Sequence, residues 1–487
     1  MLIVSVASEV APFAKTGGLG DVTGSLPLAL RKLGHQVLTF LPRYRCIDIQ
    51  KNKLSVVIDQ LQVPLGKEKV TARVYRHHHP GGADFYFIDH ADFFLRDELY
   101  GTSTSDYPDN DRRFTFFQRA VLETLCELSV KPDIIHCHDW QTGLIPAYLK
   151  TRYVKEPLFK KTKTVYTVHN LAYQGNFPPD SLPLTGIGWE EYKMEKLEFY
   201  GKVSFMKGGL VYADSVTTVS ERYSREIQTE EFGCGMDKVL AHRQDSVYGI
   251  VNGLDYEEWD PAADKDIFER YDGRSLENKE KNKTALQTSE DFTVDLSIPL
   301  FGVVSRLIDQ KGIDVLVASL DALAARGGQF VLLGTGDEKY HHVLREIGRR
   351  HRGRFGMHIV FDPVRAKQIY AGCDFLLVPS YYEPCGLAHL VAMRYGTIPI
   401  VRATGGLADT VEEFNVQTGT GNGFSFEAYK SEALIQAVER GIKVFKEKKD
   451  WHRLIQNAMA CDYSWEASAK KYSDLFSRMT QSVKRGK

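Results

Sequence analysis

The stretch from 373 to 411 constrains the fold more than any other part of this 487-residue chain. It contains two apolar runs, Phe375–Val378 and Ile398–Val401, and each is followed by a loop and then by a segment typical of a helix. Continuous apolar runs of this length are typical of parallel strands that are buried on both faces. The stretch therefore predicts two strand–loop–helix units of an α/β sheet. Both loops would lie at the carboxyl edge of the sheet, where such sheets bind ligands.

The two loops contain residue types that suit a phosphorylated sugar. Gly405 and Gly406, before the second helix, let backbone N–H groups approach an anion such as a diphosphate, which the helix dipole also favours. Glu383, in the first loop, is placed to accept a hydrogen bond from a sugar or ribose hydroxyl. Two plainer interpretations stay open: the glycines form a tight turn, and Glu383 neighbours a helix N-cap.

A second glycine loop lies near the N-terminus. The apolar strand Leu2–Ala7 leads to KTGGLGDV, which starts at Lys15 and opens a helix to about Leu33. Its TGGLGDV is a near-copy of the TGGLADT that starts at Thr404, which favours two similar domains. The lysine precedes the glycines, so this is not the usual phosphate loop, but its charge can meet phosphate oxygens or a carboxylate. In isolation, Lys15 would more often be a solvated surface residue.

Length and composition limit the class of protein. At about 150 residues per domain, 487 residues predict two to three domains, with a boundary near Tyr248. The net charge of −1 provides no basic face for nucleic acid, and no run of 18 apolar residues predicts a membrane segment. Seven cysteines form no CxxC pair, and the apolar start lacks the basic flank of a signal peptide. We therefore expect a soluble, cytoplasmic, enzyme-sized protein.

Histidine-rich segments suggest a metal site only weakly. His136 and His138 end one strand, but alternation places Cys137, between them, on the opposite face, which disfavours a shared metal ion. The tract His77–His79 adjoins a Pro-Gly turn and is more typical of a solvated loop. No metal is predicted.

Polar residues follow further predicted strands. Asp139 lies just past the strand that ends at His138, and His169 directly follows the strand Thr164–Val168. In isolation, a histidine in such a place is more often a hydrogen-bonded residue than a catalytic one. The strand Leu300–Ser305 delivers Arg306, and Lys311 follows five residues later.

Two cations at this spacing can flank a diphosphate, one as a bidentate fork and one as a point charge. In isolation, a structural salt bridge is an equally good interpretation of such a pair. Between the two halves, the polar segment 262–290 has the charge pattern of a solvated helix.

Seven motifs occur in order along the chain: KTGGL, HDW, TVHNLAYQG, VNGLD, SRLxxQKG, EPCGL and TGGLADT. Together they resemble the bacterial glycogen synthases and plant starch synthases, which belong to glycosyltransferase family 5. The resemblance implies the GT-B architecture, in which two Rossmann-like doubly wound α/β domains face each other across a cleft. It implies an acceptor and catalytic domain at 1–248, a nucleotide-sugar domain at 249–465, and a last helix at 466–487 that crosses back to the first domain.

The resemblance also implies the reaction and its site. Glucose would pass from ADP-glucose, or less readily from UDP-glucose, to the non-reducing end of an α-1,4-glucan such as glycogen, starch or a maltooligosaccharide. The anomeric configuration would be retained, with no cofactor, metal, nucleic acid or membrane partner. The implied catalytic residues are Lys15, His169, Arg306, Lys311 and Glu383. The implied donor-binding residues are Gly17, Gly18, Asp139, Asn170, Asn252, Cys385, Gly386, Leu387, Thr404, Gly405 and Gly406, and the implied acceptor-binding residues are Tyr100, Tyr107 and Asn110.

The chain departs from the family pattern in two places. Relatives usually have Arg-Phe before the glutamate, where this chain has Tyr381 and Tyr382. After Cys-Gly-Leu they usually have Thr or Asn and then Gln, where this chain has Ala388 and His389. The hydroxyl missing at Ala388 would contribute about 1–2 kcal/mol if it bonded a phosphate. The departures therefore bear on donor affinity and on the choice between ADP-glucose and UDP-glucose.

Three other functions stay open on the sequence. A glucan phosphorylase would need a lysine that holds pyridoxal phosphate. Another nucleotide-sugar transferase would use UDP-glucose or would glucosylate a small sugar, as in the synthesis of sucrose or trehalose. A non-catalytic glucan-binding protein is disfavoured because the charged residues at 15, 306, 311 and 383 are present.

Overall fold

A computed structural model of the protein describes residues 1–102 and 105–481. By its internal contacts the chain divides into two units. We call Met1–Val219, Ser224–Gly253 and the chain from Trp465 onward the N-terminal unit, and Ser220–Tyr223 with Leu254–Ser464 the C-terminal unit. The functional domains assigned at 1–248, 249–465 and 466–487 stay predictions, and the last of them lies within the described residues only as far as 481.

The strands are β1 (Leu2–Val6), β2 (Gln36–Pro42), β3 (Ser55–Leu65), β4 (Glu68–His78), β5 (Asp84–Asp89), β6 (Ile134–His138), β7 (Lys163–Val168), β8 (Asn176–Phe177), β9 (Glu198–Phe199), β10 (Lys202–Ser204), β11 (Ser215–Thr218), β12 (Val247–Gly249), β13 (Leu300–Val304), β14 (Gln329–Leu333), β15 (Phe355–His358), β16 (Phe375–Val378), β17 (Ile398–Arg402) and β18 (Phe424–Phe426).

The α-helices are α1 (Gly18–Lys32), α2 (Ala91–Phe94), α3 (Asn110–Glu127), α4 (Leu144–Thr151), α5 (Leu182–Thr185), α6 (Phe205–Tyr212), α7 (Glu221–Glu226), α8 (Asp237–His242), α9 (Leu276–Ser289), α10 (Ile313–Ala325), α11 (Glu338–Arg350), α12 (Pro363–Gly372), α13 (Ala388–Arg394), α14 (Gly405–Thr410), α15 (Ser431–Phe445), α16 (Lys448–Ala460) and α17 (Trp465–Gln481).

The N-terminal unit is built on one large, mostly parallel sheet. Its strand order is β12-β11-β7-β6-β1-β2-β5-β4-β3, and only β4 and β3 run antiparallel to their neighbours. β6 pairs with β1 on one side and with β7 on the other, so the residues that follow β6 and β7 share one edge of the sheet. Helix α17 packs against α1, with Tyr472 and Phe476 in a cluster that also contains Val22 and Leu26.

The C-terminal unit has a fully parallel sheet in the order β15-β14-β13-β16-β17-β18. Strands β13, β16 and β17 are neighbours, so the loops after them lie side by side at the carboxyl edge. The two strand–loop–helix units predicted at 373–411 are confirmed as β16–α13 and β17–α14. Both units are therefore Rossmann-like α/β folds, as predicted.

The predicted solvated helix at 262–290 is wrong in length and in environment. Helix α9 begins only at Leu276, and one polar face of it is buried in the unit, with Lys279, Lys283 and Gln287 among the buried side chains. Lys279 donates to the carbonyl oxygens of Ala371 and Cys373, at 2.9 and 3.1 Å. Lys283 forms a 2.7 Å ion pair with Asp374, and both side chains are almost fully buried. The charge pattern was misleading because buried lysines in α9 satisfy the carbonyl and carboxylate oxygens of α12 and the segment after it.

Two further findings concern the whole described chain. Each of the seven cysteines is a free thiol. Among the described residues, no helix combines the length and the apolar character needed to cross a membrane.

Candidate active site

In the C-terminal unit, the loops after β13 and β16 bring two predicted catalytic side chains into contact. Lys311 Nζ lies 2.5 Å from Glu383 Oε2, and the Ser380 hydroxyl donates to the same oxygen at 3.0 Å. Glu383 is 5% exposed, so its charge is stabilised by these two bonds rather than by water. Glu383 Oε1 forms no hydrogen bond within the described residues and remains available as an acceptor.

A glycine holds these two loops together. Gly312 adopts a positive φ of 67°, and a Cβ at this position would lie 2.0 Å from the carbonyl oxygen of Pro379. A residue with a side chain would therefore push the Lys311 loop away from the loop that carries Glu383. The Lys-Gly pair in the sequence thus has a packing reason in addition to its charge.

These side chains line a cavity of about 200 Å³. Arg306, Gly386, Leu387 and Ala388 also line it. Arg306 is exposed and forms no ion pair within the described part of the chain, so its guanidinium can meet an anion. The cavity combines two cations with one carboxylate, a set that suits a phosphorylated sugar.

The Gly405–Gly406 turn packs against the Glu383 loop, and this contact uses one of its amides. The Gly406 N–H donates to the carbonyl oxygen of Glu383 at 3.1 Å, so it is not directed at a ligand. A Cβ on Gly405 would lie 1.9 Å from that same oxygen, and one on Gly406 would lie 2.3 Å from the Cys385 carbonyl oxygen. The plainer interpretation, a tight turn, therefore accounts for both glycines. Thr404 and Cys385 are buried at this contact.

In the N-terminal unit, the KTGGL loop already holds an internal anion. Glu9 Oε2 accepts the backbone N–H groups of Thr16 and Gly17, at 2.6 and 3.1 Å. The Gly17 amide thus donates within the protein, while Gly18 begins α1, and the donor-binding role of both glycines stays a prediction. Lys15 is exposed and forms a 2.5 Å ion pair with Asp21. An exposed pair of this kind contributes little stability, so the lysine can exchange partners at low cost.

The residues after β6 and β7 form a second cluster. Asp139 adopts φ 56° and ψ −177°, a conformation that is essentially restricted to glycine and costs about 1–3 kcal/mol. Its carboxylate accepts the backbone N–H of His169 at 2.8 Å and that of Asn170. The two bonds tie the end of β6 to the loop after β7 and help to hold Asp139 in this strained conformation. The side-chain oxygen of Asn252 is buried and has no hydrogen-bond partner within the described residues.

Burial changes the protonation of this second cluster. It lowers the pKa of His169 to about 3, so the ring is neutral at pH 7. It raises the pKa of Asp139 to about 7, against the effect of the two backbone hydrogen bonds.

Replacing Asp139 by asparagine is expected to remove a pH dependence of stability. An unfolded aspartate titrates near pH 3.9, whereas the folded group titrates at about 7, so folding favours the protonated form. The free energy of unfolding of the wild-type protein should therefore fall as the pH rises from about 4 to about 7, by at most about 4 kcal/mol. Asp139→Asn should flatten this slope, and the exposed control Asp180→Asn should not. The pH dependence is measured from the unfolding midpoints of the N-terminal unit at pH 5 and pH 8. An equal dependence of stability on pH in the wild type and in Asp139→Asn would contradict the prediction.

The predicted acceptor residues make several contacts within the N-terminal unit. Asn110 is 3% exposed, and its side-chain amide bridges the Tyr100 carbonyl oxygen and the Arg113 guanidinium. Its burial leaves little of the side chain exposed to an acceptor, and its role in acceptor binding stays a prediction. The Tyr100 hydroxyl donates to Glu9 at 2.7 Å, and the ring of Tyr107 contacts the guanidinium groups of Arg96 and Arg113.

The histidines are explained without a metal. His136 Nε2 lies 2.6 Å from the hydroxyl of Thr167, in the interior of the sheet. Within residues 1–102 and 105–481, no group of three or more His, Cys, Asp or Glu side chains is arranged to hold a metal ion.

Sequence reasoning missed Glu9 and Ser380. Glu9 accepts hydrogen bonds from the backbone of the KTGGL loop. The only feature of the sequence that could have indicated this role is a carboxylate shortly after the first strand. Ser380 follows β16 by two residues, and nothing in the sequence indicated that its hydroxyl would meet Glu383.

Comparisons with known proteins agree with this geometry. Residues 2–242 match the family model of the starch synthase catalytic domain, and residues 288–460 match that of glycosyl transferases group 1. A glycogen synthase of Geotalea uraniireducens (strain Rf4) is 46% identical over 485 residues, which cover 98% of each chain. Another, of Moorella thermoacetica, is 45% identical over 97% of this chain and 96% of its own. The chain belongs to the glycogen and starch synthase family.

This synthase is also similar to proteins of known structure. The catalytic domain of starch synthase IV from Arabidopsis thaliana, bound to ADP and acarbose, has a TM-score of 0.89 and 33% identity over 99% of both chains. A sucrose-phosphate synthase from Thermosynechococcus elongatus has a TM-score of 0.60 at 18% identity, a likeness that shows the fold alone. The protein is thus a glucosyltransferase with glycogen or starch synthase function, which uses a nucleotide-sugar donor and a glucan acceptor. The family assignment excludes two of the alternative functions, a glucan phosphorylase and a non-catalytic glucan-binding protein.

Proposed function

We propose that this synthase transfers glucose from ADP-glucose to the 4-hydroxyl at the non-reducing end of an α-1,4-glucan, with retention of the anomeric configuration. The observation that carries the proposal is the cavity of about 200 Å³ where Arg306, Lys311 and Glu383 meet. A related starch synthase domain binds ADP and acarbose, which supports a nucleoside diphosphate and a glucan-like ligand.

Positive charge would stabilise the leaving group. As the bond between glucose C1 and the diphosphate breaks, negative charge grows on the phosphate oxygens. We assign Arg306, Lys311 and Lys15 to that charge, Arg306 and Lys15 because they are exposed and Lys311 because it lines the cavity. These fixed cations can supply the electrostatic stabilisation that a carboxylate-bound metal ion supplies in other transferases.

Glu383 would hold the sugar. Its Oε2 is used by Lys311 and Ser380, which fixes the orientation of the carboxylate and leaves Oε1 for the 3- or 4-hydroxyl of glucose. Because Glu383 is a carboxylate paired with the Lys311 ammonium, its hydrogen bond to a hydroxyl would be a charge-assisted one.

The transfer would proceed on one face of the sugar. The acceptor 4-hydroxyl oxygen forms the new bond to C1, the leaving diphosphate departs with the electron pair, and it takes the hydroxyl proton. The backbone around His169 would stabilise the positive charge that develops at C1. Retaining glycosidases instead use two carboxyl groups about 5 Å apart. In the cavity of the C-terminal unit, Glu383 is the one carboxylate among the lining residues.

The linkage of the product tests the proposal. The protein is incubated with ¹³C-labelled ADP-glucose and a maltooligosaccharide, and the labelled product is examined by NMR. We expect labelled glucose only at the non-reducing end, in an α-1,4 linkage. A β-linked product would contradict retention, and labelled glucose on any other hydroxyl would contradict the assigned acceptor.

A further inference from the structure

A buried histidine that the proposed reaction does not use lies directly behind His169. The Nδ1 atom of His138 is 3.0 Å from the Nε2 atom of His169, and the ring centroids are 5.2 Å apart. His138 ends β6 and is fully buried, whereas His169 follows the neighbouring strand β7 and is partly exposed. The bond therefore joins a ring that no ligand can reach to a ring that a ligand can reach.

The side of the His138 ring that faces away from His169 also makes contacts. Its Nε2 lies 3.4 Å from the hydroxyl oxygen of Ser5, on the adjacent strand β1. The ring of His136 packs against it with centroids 4.0 Å apart. Both nitrogens of His138 are thus engaged, and the ring cannot rotate without losing both contacts.

These contacts select one arrangement of the hydrogens. Burial lowers the pKa of both rings, so each is neutral and carries a single N–H. If His138 donates from Nδ1, its Nε2 can accept the hydroxyl hydrogen of Ser5. In the opposite arrangement, that hydroxyl hydrogen would be buried with no acceptor among the described residues, which is unfavourable. His138 is therefore the donor, and His169 must carry its own hydrogen on Nδ1.

We propose that His138 is a positioning residue that fixes His169 as its Nδ1–H tautomer, so that His169 offers a donor rather than an acceptor to the glucosyl group. The inference rests on the proposed function, which assigns His169 to the donor glucose. Nδ1 of His169 forms no hydrogen bond within the described residues and is available for a sugar oxygen. A ring held at Nε2 is oriented before the substrate arrives, which favours the chemical step.

Two substitutions distinguish positioning from packing. His138→Phe keeps a buried ring but removes the donor, and we expect kcat at saturating donor and glucan to fall about 10- to 100-fold. His138→Asn places an amide N–H near the former Nδ1 and should recover most of that loss. A packing role predicts the opposite order, because phenylalanine fills the site better than asparagine. A phenylalanine variant as active as the asparagine variant would overturn the proposal.

A spectroscopic measurement tests the wild-type protein directly. The ¹⁵N NMR signals of labelled histidine report which ring nitrogen carries hydrogen, and we expect the Nδ1–H tautomer for His169. The Nε2–H tautomer would overturn the proposal whether or not the variants fold. The variant His169→Ala distinguishes a failure of the proposed function from a failure of the role of His138. Full activity of this variant would refute the role of His169 itself. A large loss there, with His138→Phe at the wild-type rate, would refute only the role of His138.

Discussion

Replacing Glu383 by glutamine is expected to lower kcat by about 10²- to 10³-fold and to leave the fold intact. Glutamine keeps the volume of the side chain but loses the charge that pairs with Lys311 at 2.5 Å. Its neutral oxygen is a weaker acceptor for a glucose hydroxyl, and this bond matters most when charge develops at C1. Lys311 keeps 18% side-chain exposure, so water can partly solvate the cation that is left. Initial rates against ADP-glucose at saturating glucan give the change in kcat.

The matched control is Glu432→Gln. Glu432 is an exposed glutamate in the first turn of α15, in the same unit, and its replacement should leave kcat unchanged. A circular dichroism spectrum like that of the wild type confirms that each variant is folded. If Glu383→Gln turned over at a near-normal rate, the assignment of Glu383 to the glucose would be wrong.

Replacing Lys283 by methionine is expected to destabilise the C-terminal unit by about 3–5 kcal/mol. Lys283 pairs with Asp374 at 2.7 Å, and the two side chains are 4% and 9% exposed. Without the lysine, the Asp374 carboxylate would remain buried with the backbone N–H of Leu300 as a hydrogen-bond partner but without its ion-pair partner. The chain contains two units, so the unfolding transition of the C-terminal unit should be followed separately rather than fitted as one two-state step.

Lys281→Met is the control for this prediction. Lys281 lies on the same helix but is exposed, and within the described residues its ammonium group bonds only the side chain of Asn278. Its replacement should change the free energy of unfolding by less than about 0.5 kcal/mol. Adding Asp374→Asn to Lys283→Met should restore much of the loss, because the unpaired charge is then removed. A loss as large in the double variant as in Lys283→Met would show that packing, not the ion pair, sets the effect.

The positions of the main site residues could be predicted from the sequence. Buried parallel strands can be recognised in the sequence as apolar runs. A polar residue directly after such a run must lie at the carboxyl edge of the sheet. Arg306, Lys311 and Glu383 were placed at that edge in this way, and the structure brings the last two into contact.

The partners of backbone groups could not be predicted in the same way. The amides of Gly17 and Gly406 looked available for an anion, but each already donates within the protein, to Glu9 and to the Glu383 carbonyl oxygen. A glycine before a helix occurs in the same sequence pattern whether its amide binds a ligand or another loop of the protein. The distinction depends on contacts between segments that are far apart in the chain.

Burial of polar residues escaped prediction for a related reason. The lysines of α9 looked solvated because charge patterns assume that charged side chains face water. Lys279 instead satisfies the carbonyl oxygens of Ala371 and Cys373, more than 90 residues away. Asn110, which the resemblance assigns to acceptor binding, is likewise buried and bridges two groups of the protein.

The most direct test of the account is the release of nucleoside diphosphate from ADP-glucose and from UDP-glucose, each with and without glycogen. We expect release only when glucan is present, and faster release from ADP-glucose than from UDP-glucose. Faster release from UDP-glucose would contradict the proposed donor and would point to the positions where this chain departs from its relatives, at Tyr381 and Ala388. Equal release without any glucan, or none from either donor, would contradict the central claim that this cavity carries out glucosyl transfer to a glucan.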